Sequence, residues 1–270
     1  MNLYQKLKNT KTFFLIAGPC VIESEEIMFK TVEFLKKETA KLNIPFVFKA
    51  SYRKANRTSI HSEIGVGLEA GLKLLQKIKN DFNVPILTDV HETKEVSVVA
   101  EVADIIQIPA FLSRQTDLIV GVAKTGKIIN IKKGQFMAPE NIFAAAEKAS
   151  QTGNEKILLT ERGVTFGYNN LVVDFRSFAI MKKANYPIIY DVTHSLQRPS
   201  LGETSGGTPE FIPMMASAAI ATGKVDGLFI ETHPEPKNAL SDASTMLKLD
   251  KIPEILERCL KISEVGMTKE

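Results

Sequence analysis

The strongest constraint in this chain is a strict alternation. Short, continuously apolar, β-branched runs are each followed by a longer stretch, and the longer stretches carry apolar residues at helical spacing. The short runs are Phe13 to Ala17, Phe46 to Ala50, Ile86 to Asp89, Ile105 to Pro109, Ile128 to Lys132, Ile157 to Thr160, Ile188 to Asp191 and Gly227 to Glu231. Unbroken apolarity over four or five residues is the pattern of a parallel strand covered on both faces. The helical stretches are Glu25 to Leu42 behind a Ser24 N-cap, Leu68 to Phe82, Val96 to Val102, Leu118 to Lys124, Glu140 to Ser150 and Leu171 to Lys183. Thr208-Pro209 then opens a helix running to about Thr222, with Pro in its first turn, and Ile252 to Val265 closes the chain. Eight strands alternating with eight helices over roughly 250 residues predict an α/β (β/α)8 TIM barrel. No boundary interrupts the pattern, so residues 1–270 read as one domain. A doubly wound open sheet needs a Gly-rich first turn. The only candidate, Gly65-Val-Gly-Leu-Glu-Ala-Gly71, has the wrong spacing and does not directly follow a strand.

Composition narrows the function classes. A net charge of +3 over 270 residues lacks the basic excess of a nucleic-acid binder, so phosphate recognition has to come from local clustering of cations. Two cysteines, Cys20 and Cys259, make no disulfide framework and point to a reducing, cytoplasmic setting. Lys6, Lys8 and Lys11 before Phe13-Phe-Leu-Ile-Ala-Gly-Pro-Cys20 superficially resemble a leader peptide. The apolar run there is only about six residues, short of the 7–15 of a signal sequence. No stretch reaches the ~18 apolar residues of a membrane span, and the segment reads as a buried strand.

Barrel enzymes carry their chemistry at the C-terminal ends of the strands. Those positions here hold Cys20; Lys49 with Lys54, Asn56 and Arg57; Asp89 with His91 and Glu92; Gln107 with Arg114; Asn130 with Lys132 and Lys133; Glu161 with Arg162; Asp191 with His194; and Glu231 with His233. Two sets separate by chemistry. Lys49, Lys54, Arg57, Arg114, Lys132 and Arg162 are cations, and several of them at one barrel mouth imply a ligand with several negative charges. Their structural alternative is pairing with acids such as Asp89 or Glu161. Cys20, His194, Glu231 and Asp242 are a thiolate, an imidazole and two carboxylates, a donor set for Zn²⁺, Fe²⁺ or Mn²⁺. Taken singly, these four read as a core thiol, a hydrogen-bonded histidine and ordinary acids. Closure of a barrel pairs the eighth strand with the first and draws them together.

The motifs Ala17-Gly-Pro-Cys-Val-Ile-Glu-Ser, Lys49-Ala-Ser, Lys54-Ala-Asn-Arg-Thr-Ser-Ile-His-Ser, Thr88-Asp-Val-His-Glu and Gln107-Ile-Pro-Ala-Phe-Leu-Ser-Arg-Gln-Thr-Asp117 span the first half of the chain. Asn130-Ile-Lys-Lys-Gly-Gln-Phe, Glu161-Arg-Gly-Val-Thr-Phe-Gly-Tyr-Asn-Asn-Leu, Asp191-Val-Thr-His-Ser-Leu-Gln, Glu231-Thr-His-Pro-Glu-Pro and Leu240-Ser-Asp-Ala continue it. Together they resemble the 3-deoxy-D-manno-octulosonate 8-phosphate synthases over nearly the whole length. The resemblance implies condensation of phosphoenolpyruvate with D-arabinose 5-phosphate, with release of inorganic phosphate, toward a lipopolysaccharide inner-core sugar. It assigns phosphoenolpyruvate binding to Lys49, Lys54, Gln107, Lys132 and Arg162, and pentose-phosphate binding to Asn56, Arg57 and Ser59. Arg114 matches a residue that reaches toward a neighbouring subunit, in a family that is typically a homotetramer. Cys20 places the chain with the metal-dependent class, with Cys20, His194, Glu231 and Asp242 as ligands; the metal-independent class has Asn at that position. Lys49, Lys54, Asp89 and His194 are the expected catalytic groups.

The chain departs from the family at two places. Tyr52-Arg53 stands where an aromatic residue and Asp are usual, and Glu63-Ile64 replaces an aromatic-Arg pair. A Schiff-base role for Lys49 or Lys54 ranks lower, because the surrounding cations suit a phosphate better than a desolvated amine. The related 3-deoxy-arabino-heptulosonate 7-phosphate synthases, which use erythrose 4-phosphate, lack the Lys-Ala-Asn-Arg motif. A non-catalytic phosphosugar-binding barrel is the reading from another class, and the full set of strand-end groups argues against it.

Overall fold

Eight parallel strands close on themselves in the computed structural model, which describes residues 1–56, 64–199 and 206–266. They are β1 (Phe14–Gly18), β2 (Phe46–Lys49), β3 (Ile86–Asp89), β4 (Ile105–Ile108), β5 (Ile128–Lys132), β6 (Ile157–Glu161), β7 (Ile188–Asp191) and β8 (Gly227–His233). Each pairs with its sequence neighbour, and β8 pairs with β1 from Phe14↔Gly227 to Gly18↔Glu231, which closes the barrel. The eight helices that follow the strands around the barrel are α1 (Glu25–Lys41), α2 (Leu68–Phe82), α3 (Val96–Val102), α4 (Thr116–Lys124), α5 (Ile142–Ser150), α6 (Arg176–Lys182), α7 (Ile212–Ala221) and α8 (Ile252–Gly266), and a single turn at Val192–Ser195 follows β7. The (β/α)8 expectation is met in order and number. Ser24 caps α1 as its sequence predicts, accepting from the Ile27 amide at 3.3 Å.

Strand side chains alternate between two faces, and here the two faces have different jobs. Outward residues such as Leu15, Phe48, Ile86 and Leu228 join the belt between strands and helices, with Val32, Leu35, Leu75 and Ile78. Inward residues Phe14, Ile16, Val47, Leu87, Ile105, Ile128, Leu158, Ile189 and Phe229 form a second, separate cluster. A short N-terminal helix, Leu3–Lys8, adds Tyr4 and Leu7 to that cluster. It was absent from the sequence expectation, being too short to show a period. The floor of the barrel is thus apolar and filled, and the next inward positions on the same strands are Lys49, Asp89, Gln107, Asn130, Lys132, Thr160, Asp191 and Glu231.

One predicted helix starts later than its pattern. Leu171–Val172 pairs antiparallel with Val164–Thr165 instead of opening α6. Gly167 and Asn169 between them take left-handed backbone, at φ 60° and 51°, and this turns the chain into a hairpin. The stretch from Thr208 begins with a 3-10 turn at Pro209–Phe211, and the Thr208 hydroxyl donates to the Leu196 carbonyl at 3.5 Å rather than capping α7. Among the described residues, no helix is long and apolar enough to cross a membrane.

Candidate active site

The inward positions at the C-terminal strand ends surround an open cavity of about 180 Å³. Lys49 and Lys54 come from β2 and the loop after it, Asp89 and His91 from β3, Gln107 from β4, Lys132 from β5, Arg162 after β6, His194 after β7 and Glu231 from β8, all lining this cavity. Every one of the eight strands except β1 therefore lends it a polar group. Below the charges runs an amide relay: Asn130 donates to Gln107 at 3.0 Å and Thr160 donates to Asn130 at 2.7 Å. The relay fixes the Gln107 amide, leaving its nitrogen to face the cavity. Phe229 lies beneath, with the Lys132 ammonium 4.4 Å and the Lys49 ammonium 5.7 Å from its ring centroid.

Several cations are already paired. Lys49 meets Glu231 at 2.5 Å and donates to the Cys20 carbonyl at 2.8 Å; Lys132 meets Asp191 at 2.5 Å. Asp191 also holds the His194 Nδ1 at 2.8 Å, which leaves Nε2 pointing to Glu231 at 3.6 Å and Asp242 at 3.9 Å. Arg162 is different. It is 6% exposed, donates one guanidinium nitrogen to Gln197 at 2.9 Å, and leaves its other terminal nitrogen unpartnered. One Asp89 oxygen is likewise buried without a partner, while the other meets His91 Nε2 at 3.0 Å. A buried, unpaired guanidinium nitrogen at a cavity wall is costly unless a ligand completes it.

The titration shifts follow from burial and neighbours. Burial lowers the Lys132 pKa, with Asp191 opposing, and burial also lowers that of Arg162. Burial would lower Lys54 too, but Cys20, Glu231 and Asp242 around it win and hold it well above the usual lysine value. Burial would raise the carboxyl pKa of Asp89, Asp191 and Glu231. Each is instead held far below the usual range, by His91 and the two lysines, by His194 and Lys132, and by His194 and Lys49 respectively. Charge is thus retained on both signs inside a largely buried mouth.

The four expected metal ligands divide three and one. Cys20 Sγ, a Glu231 oxygen and an Asp242 oxygen lie within 4.8 Å of one another, with Cys20 2.9 Å from Asp242 and 3.2 Å from the Ser241 hydroxyl. His194 stands beside them, facing both carboxylates. β1 reaches this corner because Gly18 approaches the Lys49 carbonyl so closely that a Cβ would sit 2.0 Å from it. Asp242 reaches it from a left-handed backbone, at φ 51°. Burial, then Asp242 and Glu231, push the Cys20 thiol pKa well up. A buried thiol, two carboxylates and an imidazole meet at one corner. Only Glu231 has a cation in close contact there, Lys49 at 2.5 Å, while Lys54 stands 3.9–4.0 Å from both acids. This is a donor set that a divalent ion satisfies.

Not every predicted group belongs here. Lys133 points outward, fully buried, and pairs with Glu161 at 3.4 Å while donating to the Met137 carbonyl at 3.1 Å. Glu161 in turn accepts from the Arg162 and Gly163 amides at 2.9 and 2.7 Å, fixing the loop that aims Arg162. Arg114 lines a separate cavity with Phe136, Asn141 and Lys148. Asn56 lines the main one. Arg57, Ser59 and Glu63 lie outside the described residues. Sequence reasoning named Asp191 only as a strand end, yet it anchors both Lys132 and His194. Its signal was the Asp191-x-x-His194 spacing, which puts both side chains on one turn. Phe229 carried no signal beyond its apolar run.

A closed parallel barrel with cations and a thiol-carboxylate corner at its C-terminal mouth has the form of a barrel enzyme with a pocket suited to anions. Residues 7–266 match the DAHP synthetase I family. A 2-dehydro-3-deoxyphosphooctonate aldolase from Geotalea uraniireducens is 49% identical over 261 residues, 96% of each chain. Enzymes of the same name from Acidithiobacillus ferrooxidans and Dichelobacter nodosus are each 52% identical, over 94% and 97% of this chain and 90% and 95% of theirs. The chain belongs to the DAHP synthetase I family and, within it, to the 2-dehydro-3-deoxyphosphooctonate aldolases.

Proposed function

We infer that this chain is a 3-deoxy-8-phosphooctulonate synthase, a transferase. It joins phosphoenolpyruvate, D-arabinose 5-phosphate and water into 3-deoxy-D-manno-octulosonate 8-phosphate and inorganic phosphate, a step toward the lipopolysaccharide inner core. The observation that carries the reading is the buried Arg162, with a free guanidinium nitrogen beside Lys132 and Lys54 at the mouth of a barrel of this family. Chemically, C3 of phosphoenolpyruvate attacks the sugar aldehyde, water adds at C2, and the C2–O bond breaks to release phosphate. Lys49, Lys54, Gln107, Lys132 and Arg162 hold the phosphoenolpyruvate anion. Asn56, Arg57 and Ser59 hold the pentose phosphate. Two phosphorylated substrates bring four to five negative charges, and pre-aimed cations offset their repulsion while fixing the reacting carbons. The free Asp89 oxygen is the group placed to accept and return a proton, and His194, its Nδ1 held by Asp191, presents Nε2 to the corner of Glu231 and Asp242.

Cys20, His194, Glu231 and Asp242 are the residues that would hold a divalent metal, with Zn²⁺, Fe²⁺ and Mn²⁺ all suited to the donors. Bound there, such an ion supplies positive charge and orients polar groups. A thiolate and two carboxylates leave the bound site a formal −1, which favours orientation over strong carbonyl activation. We place this activity in the cytoplasm, in one (β/α)8 domain, and assemble the chain as a homotetramer in which Arg114 serves a neighbour's site.

The test is phosphate release from phosphoenolpyruvate with arabinose 5-phosphate or erythrose 4-phosphate, each with and without chelator. Release with the pentose phosphate only, lost on chelation and restored by a divalent ion, is expected. Release with the tetrose phosphate alone would move the chain to the heptulosonate branch.

A further inference from the structure

Behind the cavity wall lies a polar strap that the reaction chemistry does not use. Glu95 is buried at the start of α3, and one of its oxygens accepts from the Tyr52 hydroxyl at 2.7 Å, the His91 amide at 3.1 Å and the Glu92 amide at 3.2 Å. Its other oxygen meets Arg53 at 2.9 Å, and the same guanidinium nitrogen donates to Glu92 at 3.0 Å. Tyr52 is fully buried, with its ring edge-on to His91 at 5.7 Å, and His91 holds Asp89 at 3.0 Å. On the other side, the Lys54 amide donates to the Ile64 carbonyl at 2.8 Å, closing the base of the loop that carries Asn56. Arg53 and Tyr52 therefore sit between two groups of cavity residues: Lys54 and Asn56 after β2, and Asp89 and His91 after β3.

We propose that Arg53, Tyr52 and Glu95 are positioning residues that register the β2 loop against the β3 loop, setting the wall against which the pentose phosphate lies. The assignment rests on the synthase reading above. Arg53 is also where the sequence departs from the pattern of the family it resembles. An Asp at this position would face Glu92 and Glu95, of which Glu92 keeps only the exposed Lys94 at 2.7 Å and Glu95 is left with no paired cation among the described residues. The arginine and the two glutamates thus form one matched set: a single guanidinium nitrogen on the β2 loop meets both carboxylates of the β3 loop, as an acid would not. The strap acts on Asn56 through the backbone of the β2 loop, whereas the phosphoenolpyruvate cations are held from elsewhere. The Lys54 ammonium faces Glu231 and Asp242 at 3.9 and 4.0 Å, Lys132 is held by Asp191 and Arg162 by Gln197.

The test is the split between the two Michaelis constants. Arg53→Asp should raise KM for arabinose 5-phosphate about tenfold, with KM for phosphoenolpyruvate within about twofold and an unchanged melting temperature. Glu95→Gln added to Arg53→Asp removes one facing charge and should recover most of the loss. Arg53→Lys should fall between parent and Arg53→Asp. An unchanged KM for the pentose phosphate overturns the proposal, and so does a parallel rise in both constants with a lowered melting temperature, which is the signature of general loosening. Where Arg53→Asp fails to fold, Tyr52→Phe decides by the same split, since it deletes one hydroxyl and keeps the packed ring. Absence of phosphate release by the parent enzyme would break the synthase reading instead, so the two failures are distinct.

Discussion

Along β5 the inward positions run Ile128, Asn130, Lys132, and along β7 they run Ile189, Asp191; within one or two steps the barrel interior passes from hydrocarbon to charge. The lower half is closed by the N-terminal helix and packed by Phe14, Leu158 and their neighbours. The upper half is an open cavity ringed by ammonium, guanidinium and carboxylate groups. Both halves are built on the same strands, yet they contribute opposite terms to folding. The floor removes apolar surface from water and stabilises the barrel. The mouth takes charges out of water, which opposes folding except where a partner stands close, as for Lys49 with Glu231 and Lys132 with Asp191.

The largest effect that separates the halves is expected at Arg162. Arg162→Met removes a buried cation that has no carboxylate partner within salt-bridge distance among the described residues, so the melting temperature should hold or rise. Turnover should fall about 10²–10³-fold, the usual loss when a preorganised donor to an anion is deleted. A steady-state assay beside a thermal melt checks both. A large drop in melting temperature would mean that the mouth supports the fold as the floor does.

Leu158→Ala is the converse, with an effect of comparable size on stability instead of turnover. Leu158 is fully buried on the inner face of the floor cluster, and its truncation should cost about 2–5 kcal/mol of unfolding free energy. The specific activity of the folded fraction should stay within a few-fold of the parent. Denaturant unfolding followed by activity at low denaturant distinguishes this outcome from one in which the floor also shapes the site.

How much of each half could be read in the sequence follows from the same geometry. The floor was legible because continuous apolar runs have one meaning at this spacing. The mouth was legible as a list of strand-end groups, and parity sorts that list: Lys132 shares its face with Ile128 and points in, and Lys133 points out to Glu161. What the sequence could not show is which inward groups meet across the barrel. Asp191 clasping both Lys132 and His194, and Cys20 reaching Asp242 across 222 positions, depend on closure. The Arg53 strap was visible only as a break in pattern, because its partners Glu92 and Glu95 sit on another loop. Arg114, a strand-end cation like the others, lies in a different cavity, since a loop of several residues carries it away from the end of β4.

Phe229 tests whether the boundary between the halves is itself a working part. Its ring belongs to the floor cluster, yet Lys132 and Lys49 lie over it, and the His194 ring is 5.8 Å away. A ring face under a desolvated ammonium is worth about 1–2 kcal/mol, part of it electrostatic. Phe229→Leu keeps most of the apolar volume and removes the π face. Stability should fall by about 1 kcal/mol through imperfect packing. KM for phosphoenolpyruvate should rise about three- to tenfold as Lys132 loses its support, with KM for the pentose phosphate unmoved. That is the reverse of the split expected at Arg53, which lies on the other wall. If Phe229→Leu moves stability alone, the ring is only floor, and the charged layer is aimed entirely by Asp191, Glu231 and the amide relay above it.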